Sequence, residues 1–470
     1  MSIQLMIITI YFMATVGIGL YCKKKSTSSN TFHGAGLGVL MCVAAGTGEW
    51  LGGTSTTGIS EYGYLLGISG AWYTLANGIG VIVLAIFFAK LYRSLETVTV
   101  PGIIEKFIGV NARTVSSILL TFVMIAVGTA QLIAAGTLGV MVLGLDFTTS
   151  VVILGIGFII YTLSGGMIAV GYTNMMHLVA MYGGVILAIV LVAGDIGGFE
   201  ALKLSLPADP YFKMSGIGMP KVSSWIIASV LGACTAQAGI QPILAARNEH
   251  VAKKAAIITA LVVAPLGFLT AILGMAAKVK FPEITNAKLA LPTLMMNLHP
   301  IAGGIVLASI MAAILSTISP IILASGTLIT KDIYQRVMKS DATDSQILRV
   351  SRLTTGASGI VCMVLAIGLY GSTRILDMVY FAYTLRGSLF VVLLFGMYWK
   401  YTSQKGSVWA MILTAAAGLF WVIYKAQFGH FPIHPMLTET YISIIVAIIS
   451  IIVFSLIFSK DKESKHNISS

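Results

Sequence analysis

Charge is what this chain has least of. Only 10% of its 470 residues are Asp, Glu, Lys or Arg, while 57% are hydrophobic and the mean hydropathy is +0.93. Soluble domains carry roughly a quarter charged residues, so this balance excludes a soluble globular domain and indicates a polytopic membrane protein. Cysteine is scarce as well. Cys22, Cys42, Cys234 and Cys362 lie in or beside apolar stretches without a CxxC spacing, which excludes a disulfide framework and a cysteine metal site. No metal-ligand spacing, phosphate loop or nucleophile motif occurs, so the chain does not read as an enzyme.

What is present is a series of apolar runs. The first, Ile3 to Tyr21, has no charged segment ahead of it and no small-residue cleavage site behind it, which fits a spanning helix better than a signal peptide. A window of about 19 residues gives thirteen candidate spans, centred near residues 12, 48, 80, 127, 156, 184, 234, 265, 312, 360, 386, 414 and 449. Basic loops stay cytoplasmic. With the amino terminus outside, the inner segments hold twenty of the 29 Lys and Arg residues, the outer segments hold eight, and Arg386 lies within the membrane. The net charge of +12 is thereby explained as topology, with no nucleic-acid partner. The reading is a multi-pass protein of the cell's inner membrane whose tail, residues 460–470, is a short disordered cytoplasmic end.

Two spans are interrupted by small and polar residues. The second contains VAAGTGEWLGGTSTTGISEYGY (Val43 to Tyr64), with Glu49 and Trp50 at its middle, and the seventh contains ASVLGACTAQAGIQPILAAR (Ala228 to Arg247). A helix interrupted at mid-depth is tolerated where it lines a cavity or holds an ion, and two at matching positions of two five-helix halves point to an inverted-repeat transporter. Small residues also serve close helix packing, but the five-span separation favours the transporter. In the ninth span Ala313, Ser316, Thr317 and Ser319 fall at helical spacing, so a backbone carbonyl and two adjacent hydroxyls converge within about one turn. Such oxygens suit a hard cation, although Ser and Thr in helices also bond back to their own backbone.

These segments resemble the sodium:solute symporter family. The likeness rests on GGTSTTGISEYGY after Trp50, IFFAKLYRSLETVTVPGIIEK (Ile86 to Lys106), YTLSGGMIAVGYTN (Tyr161 to Asn174), QPILAARNEHVAKKAA (Gln241 to Ala256), AAILSTIS and TKDIY in the ninth span, and FGMYWKYTSQKG (Phe395 to Gly406). The resemblance implies an all-α fold like that of the bacterial leucine transporter. A 5+5 inverted-repeat core would occupy residues 36–398, with one extra helix and loop before it (1–35) and two helices after it (399–459).

The resemblance further implies a sodium site made of the backbone oxygens of Gly48, Leu51 and Ala313 and the hydroxyls of Ser316 and Thr317. A second sodium site, found in some members, would need a carboxylate where this chain has Asn174 and a hydroxyl where Pro320 follows Ser319, which argues for one sodium per cycle. For the substrate, Trp50 matches one wall of the aromatic cage in the choline-transporter branch, but the other walls fall on Asn77, Val127 and Ala236. One wall cannot hold a quaternary ammonium. The expected lining is Trp50, Thr54, Ser55, Thr74, Asn77 and Gln237, which suits a small polar solute.

Glu49 and Arg386 depart from the family pattern. A charge at mid-membrane costs about 2.5 to 3.5 kcal/mol and needs a partner. Two readings follow: the two neutralise each other structurally, or Arg386 binds a substrate carboxylate while Glu49 binds an amine or tunes the sodium site. His177 and Asp377 read as a packing histidine and an end-of-span charge. The overall expectation is sodium-coupled import of an amino-acid-like zwitterion or carboxylate by alternating access. The alternatives are proton coupling through Glu49 and a symporter-derived sensor; a channel lacks its ring of repeated ligands.

Overall fold

The computed structural model describes residues 2–23, 36–372 and 374–458. The loop expected at 24–35 and the tail at 460–470 lie outside the described residues. Among those described, the backbone is helical, and its one β-type pairing is the bridge between Leu37 and Ala246. Ten helical runs are long and apolar enough to cross a membrane, and Ile3–Gly19 and Phe147–Leu163 are shorter apolar helices. Helix is what an apolar solvent demands, because it satisfies each backbone group within its own segment. All thirteen expected centres fall on a helix or on a break within one.

The helices that matter for the site are, in order, α1 (Ile3–Lys23), α2 (Val39–Trp50), α3 (Ile59–Leu66), α4 (Trp72–Val83), α5 (Val100–Phe107), α6 (Val110–Leu143), α7 (Phe147–Ile196) and α8 (Met219–Ala233). They continue with α9 (Gln237–Leu244), α10 (Glu249–Val263), α11 (Leu266–Lys280), α12 (Pro300–Thr327), α13 (Asp344–Leu369), α14 (Ile375–Tyr398), α15 (Gln404–Phe428) and α16 (Glu439–Ile457). The fifth and sixth expected spans are the two arms of α7. Its 50 residues form one helical run, about 75 Å if straight, yet the Tyr161 hydroxyl bonds Thr173, twelve residues on. A straight helix would set those residues about 18 Å apart, so the run bends back on itself.

The second span breaks after Trp50. Leu51 leaves the helical region (φ −113°, ψ 64°), and a wide turn over Thr54–Gly58 carries the chain into α3. Glycine lets the neighbouring helices press into this break. A Cβ on Gly48 would lie 2.2 Å from the Ser316 carbonyl oxygen, and one on Gly52 would lie 2.2 Å from Thr317 Oγ1. The seventh span breaks between α8 and α9, where Ala236 turns to φ −73°, ψ 91°. The half-helices α2 and α9 are tied at their ends: Leu37 N–H donates to the Ala245 carbonyl (2.9 Å), and Arg247 N–H donates to that of Leu37 (3.0 Å).

Candidate functional site

Three of the five residues implied for sodium are joined by hydrogen bonds, and the other two lie beside them in the chain. Ser316 Oγ donates to the Ala313 carbonyl at 2.8 Å and to the Leu51 carbonyl at 3.2 Å, which places three of the oxygens in one cluster. Thr317 Oγ1, fully buried on the next position of α12, has no hydrogen-bond partner. The last carbonyls of α2, Gly48 among them, are released by the break because a helix end leaves its final carbonyls without intrahelical donors. Carbonyl and hydroxyl oxygens with one hydroxyl unsatisfied are a donor set that fits a hard monovalent cation. Asn174 closes the cluster from α7: its Nδ2 donates to the Ser316 carbonyl at 3.1 Å, and its Oδ1 has no partner. Ser319 turns away to the Leu315 carbonyl (3.0 Å).

Gly48→Ala is expected to be severe. The added methyl would meet both the Ser316 carbonyl and Asn174 Nδ2, at 2.2 and 2.4 Å. Backbone cannot yield as a side chain does, so a loss of at least the ~1–3 kcal/mol typical of overpacking is expected. Thermal unfolding of the purified protein should show a lower midpoint and no stabilisation by added sodium; an unchanged sodium response would remove Gly48 from the cradle.

One residue along from Gly48, Glu49 is fully buried and ion-paired: Arg386 Nη1 lies 2.7 Å from Glu49 Oε1, with both side chains 0% exposed. Arg386 lies across two rings, its guanidinium carbon 3.7 Å from the Tyr383 centroid and 4.9 Å from that of Trp50. Arg386 Nε and Nη2 and Glu49 Oε2 remain without partners. Next to these groups runs a hydroxyl chain in which Gln131 Nε2 donates to Thr54 Oγ1 (3.3 Å), Thr54 pairs with the Tyr73 hydroxyl (3.0 Å), and Tyr73 pairs with that of Tyr383 (2.9 Å). Gln131 also accepts from the Gly53 N–H at 2.7 Å, capping the broken helix.

The structure therefore sorts the expected substrate lining. Glu49, Trp50, Arg386 and, through Tyr73, Thr54 come together; Asn77 lies one turn beyond Tyr73 on α4, with both amide atoms buried and unpartnered. Ser55 instead donates to the Gly52 carbonyl, and Thr74 joins α4 to the kink before α11, donating to the Ala264 carbonyl and accepting from Gly267 N–H. Gln237 is not brought to Trp50. Its Oε1 accepts from Val100 N–H (2.8 Å) at the start of α5, and the residue of α9 that faces Trp50 is Gly239. Nor does Trp50 stand as a lone wall: Tyr383 meets it edge-on at 6.0 Å and is itself flanked by Tyr73 and Tyr380. Sequence reasoning missed Tyr383, Tyr73 and Gln131. The signal available was a tyrosine three positions before Arg386 on one helical face, and a single glutamine in an otherwise apolar stretch of α6.

The centre is closed toward both ends. At one end Tyr62 donates to Asp377 Oδ1 (2.6 Å), Lys221 pairs with the same carboxylate (2.7 Å), and Trp225 stacks on Tyr380 at 4.2 Å. At the arginine-rich end Asp332 accepts from Thr99 (2.9 Å) and Arg113 (2.7 Å), while Glu105 bridges Arg113 and Arg336. Burial pushes the Glu105 carboxyl up, but the hydrogen bonds from Arg113 and Arg336 outweigh it and hold the group below its ordinary value. His177, buried on α7, bonds the Tyr11 hydroxyl of α1 at 2.5 Å, and Asp377 lies in the first turn of α14.

Residues 32–414 match the sodium:solute symporter family. The osmoregulated proline transporter OpuE of Bacillus subtilis (strain 168) is 25% identical over 442 residues, covering 90% of this chain and 89% of that protein. The sodium/glucose cotransporter of Vibrio parahaemolyticus is 24% identical, covering 89% and 84%. Among solved structures, a Na+-coupled sialic acid symporter in a substrate-bound outward-open state superposes with a TM-score of 0.80 at 20% identity, over 97% of this chain and 98% of that one. MhsT in complex with L-phenylalanine superposes with a TM-score of 0.57 at 15% identity, over 88% and 98%.

Proposed function

The chain belongs to the sodium:solute symporter family, and from that premise we propose that it imports a small solute bearing a carboxylate, either an anion or an amino-acid-like zwitterion, together with one sodium ion. It is a sodium-coupled symporter by family; the solute class and the stoichiometry are the proposed parts. The observation that carries the solute class is the free edge of Arg386. Nε and Nη2 of a guanidinium share the side that takes a carboxylate with two parallel hydrogen bonds, and both are buried without partners. Gly232, near the break of the seventh span, packs close to that edge, so that a Cβ there would lie 3.1 Å from Nε. The relatives include a transporter named for proline, a zwitterion with a carboxylate, and one named for glucose, which has none.

Gly48, Leu51, Ala313, Ser316 and Thr317 would take the sodium ion. Asn174 in place of a carboxylate supports a single ion. The positive-inside distribution supports an outer amino terminus and a cytoplasmic carboxyl terminus. Opening would separate either the Tyr62, Lys221 and Asp377 contacts or the Glu105, Arg113 and Asp332 contacts, exposing the centre to one side at a time.

The test is uptake into proteoliposomes under an inward sodium gradient, screened against carboxylic acids, amino acids and sugars. Uptake of a carboxylate-bearing solute that needs sodium is expected, and Trp50→Ala should weaken solute binding by about tenfold while leaving sodium-induced thermal stabilisation in place. Uptake restricted to sugars would overturn the solute class. Uptake indifferent to sodium but lost when a proton gradient is collapsed would overturn sodium coupling and give Glu49 the coupling role.

A further inference from the structure

The carboxylate that neutralises Arg386 and the cradle expected to hold sodium belong to the same turn of chain. Glu49 follows Gly48 and precedes Trp50 and Leu51, and its side chain is fixed by Arg386 through Oε1 alone. In the closed centre Glu49 and Arg386 sum to zero charge. A solute carboxylate placed on the free Nε and Nη2 edge of Arg386 would put two carboxylates on one guanidinium and leave one uncompensated negative charge among fully buried groups. That is a costly arrangement in a dry interior. A sodium ion on the Gly48 and Leu51 carbonyls would restore neutrality within one helical turn of Glu49.

A positive charge on the solute itself is the other way to restore neutrality, and the lining disfavours it. The ring faces on which an ammonium would settle, those of Trp50 and Tyr383, are already taken by the Arg386 guanidinium at 4.9 and 3.7 Å. The hydroxyls of Thr54, Tyr73 and Tyr383 are engaged with one another. The unpartnered groups in and beside the centre include Arg386's own two nitrogens, one oxygen of Glu49, the amide of Asn77 and the hydroxyls of Tyr380 and Ser229. An ammonium wants three acceptors, whereas a carboxylate is an acceptor with two oxygens. The position over the two rings is filled by the protein's own guanidinium, whose unpartnered Nε and Nη2 call for an anion.

Resting on the carboxylate reading above, we propose that the solute is a monocarboxylate without an amine, and that Glu49 makes its binding depend on sodium, so that the loaded centre is electrically neutral. Glu49 acts here as a positioning and coupling residue through charge. Two consequences separate this from a merely structural ion pair. Transport carries no net charge, and removing the Glu49 charge removes the need for sodium in solute binding while leaving a glutamine oxygen to accept from Arg386 Nη1.

The experiment uses the full chain in proteoliposomes with the potential set by potassium and valinomycin, and a panel of short-chain monocarboxylates with their α-amino counterparts. The expected result is sodium-dependent uptake of a monocarboxylate at a rate unchanged by an inside-negative potential. In binding measurements on purified protein, wild type should lose about tenfold or more in monocarboxylate affinity when sodium is replaced by choline. Glu49→Gln should lose less than about threefold. Acceleration of uptake by the inside-negative potential, preference for the amino acid over its monocarboxylate, or an undiminished sodium dependence in Glu49→Gln each overturns the inference. The first two are read on the wild-type protein, so they stand even if the variant folds poorly. Binding of amino acids alone would overturn this inference and leave the carboxylate reading intact; absence of binding by both series would overturn both.

Discussion

Thr317→Ala is expected to raise the sodium concentration for half-maximal uptake by about ten- to a hundredfold while the protein remains folded and inserted. The Thr317 hydroxyl is buried, without a hydrogen-bond partner, and packed against the backbone of Gly52 at the break of the second span. A contact between a polar group and a full charge in such a setting contributes about 1.5–3 kcal/mol. No existing hydrogen bond is lost, so stability in the absence of sodium should change little. Thr317→Ser, which keeps the oxygen, should recover most of the sodium affinity. The measurements are uptake against sodium concentration and the rise in unfolding temperature on adding sodium. An alanine variant with wild-type sodium dependence in both would exclude this hydroxyl from the ion's coordination.

The largest effect is expected at Arg386. Arg386→Gln leaves Glu49 as a buried, unpaired carboxylate, and removing one partner of such a pair costs about 3–5 kcal/mol. The single variant should express poorly, unfold at lower temperature and transport nothing. Glu49→Gln in the same chain removes the orphaned charge, and the double variant should regain most of the lost stability. It should not regain uptake, because the guanidinium edge that would take the solute is gone. If the double substitution restores transport, the pair is purely structural and the solute is neutral or cationic. Stability and uptake are thus two separate readouts of one double-mutant cycle.

Much of this was readable along the chain. Helix number and position followed from apolar runs of membrane length, since the bilayer allows few other backbones. The breaks at residues 51 and 234–236 were announced by glycine, threonine and serine at mid-depth, and the oxygen cluster proposed for sodium by Ala313, Ser316 and Thr317 at helical spacing beside a family likeness. Each of these is a local or periodic property, and periodicity survives without coordinates.

The reading of the solute lining fared differently. Thr74 and Gln237 carried polar groups at the right depth, but depth says nothing about azimuth. Gln237 turns to the start of α5 and Thr74 to the kink before α11, because unsatisfied backbone N–H and carbonyl groups there need partners more than a cavity does. Asn174 was expected to mark a missing second site, and its placement shows an amide clamping the Ser316 carbonyl. Tyr73 and Tyr383 lie 310 residues apart in sequence and share a hydrogen bond, a pairing to which no window along the chain is sensitive.

The membrane class, the spans and the two broken helices were legible in the sequence alone, because each depends on the composition or spacing of contiguous residues. It took the three-dimensional packing to show that Glu49 and Arg386, 337 positions apart, are partners, and that the guanidinium lies on Tyr383 and Trp50 with Nε and Nη2 unpartnered. That arrangement depends on how α2 and α14 are rotated about their own axes. The rotation is set by side-chain packing across the whole bundle, where glycines at 48 and 232 let backbones approach closely and Gly52 makes room for the Thr317 and Gln131 side chains.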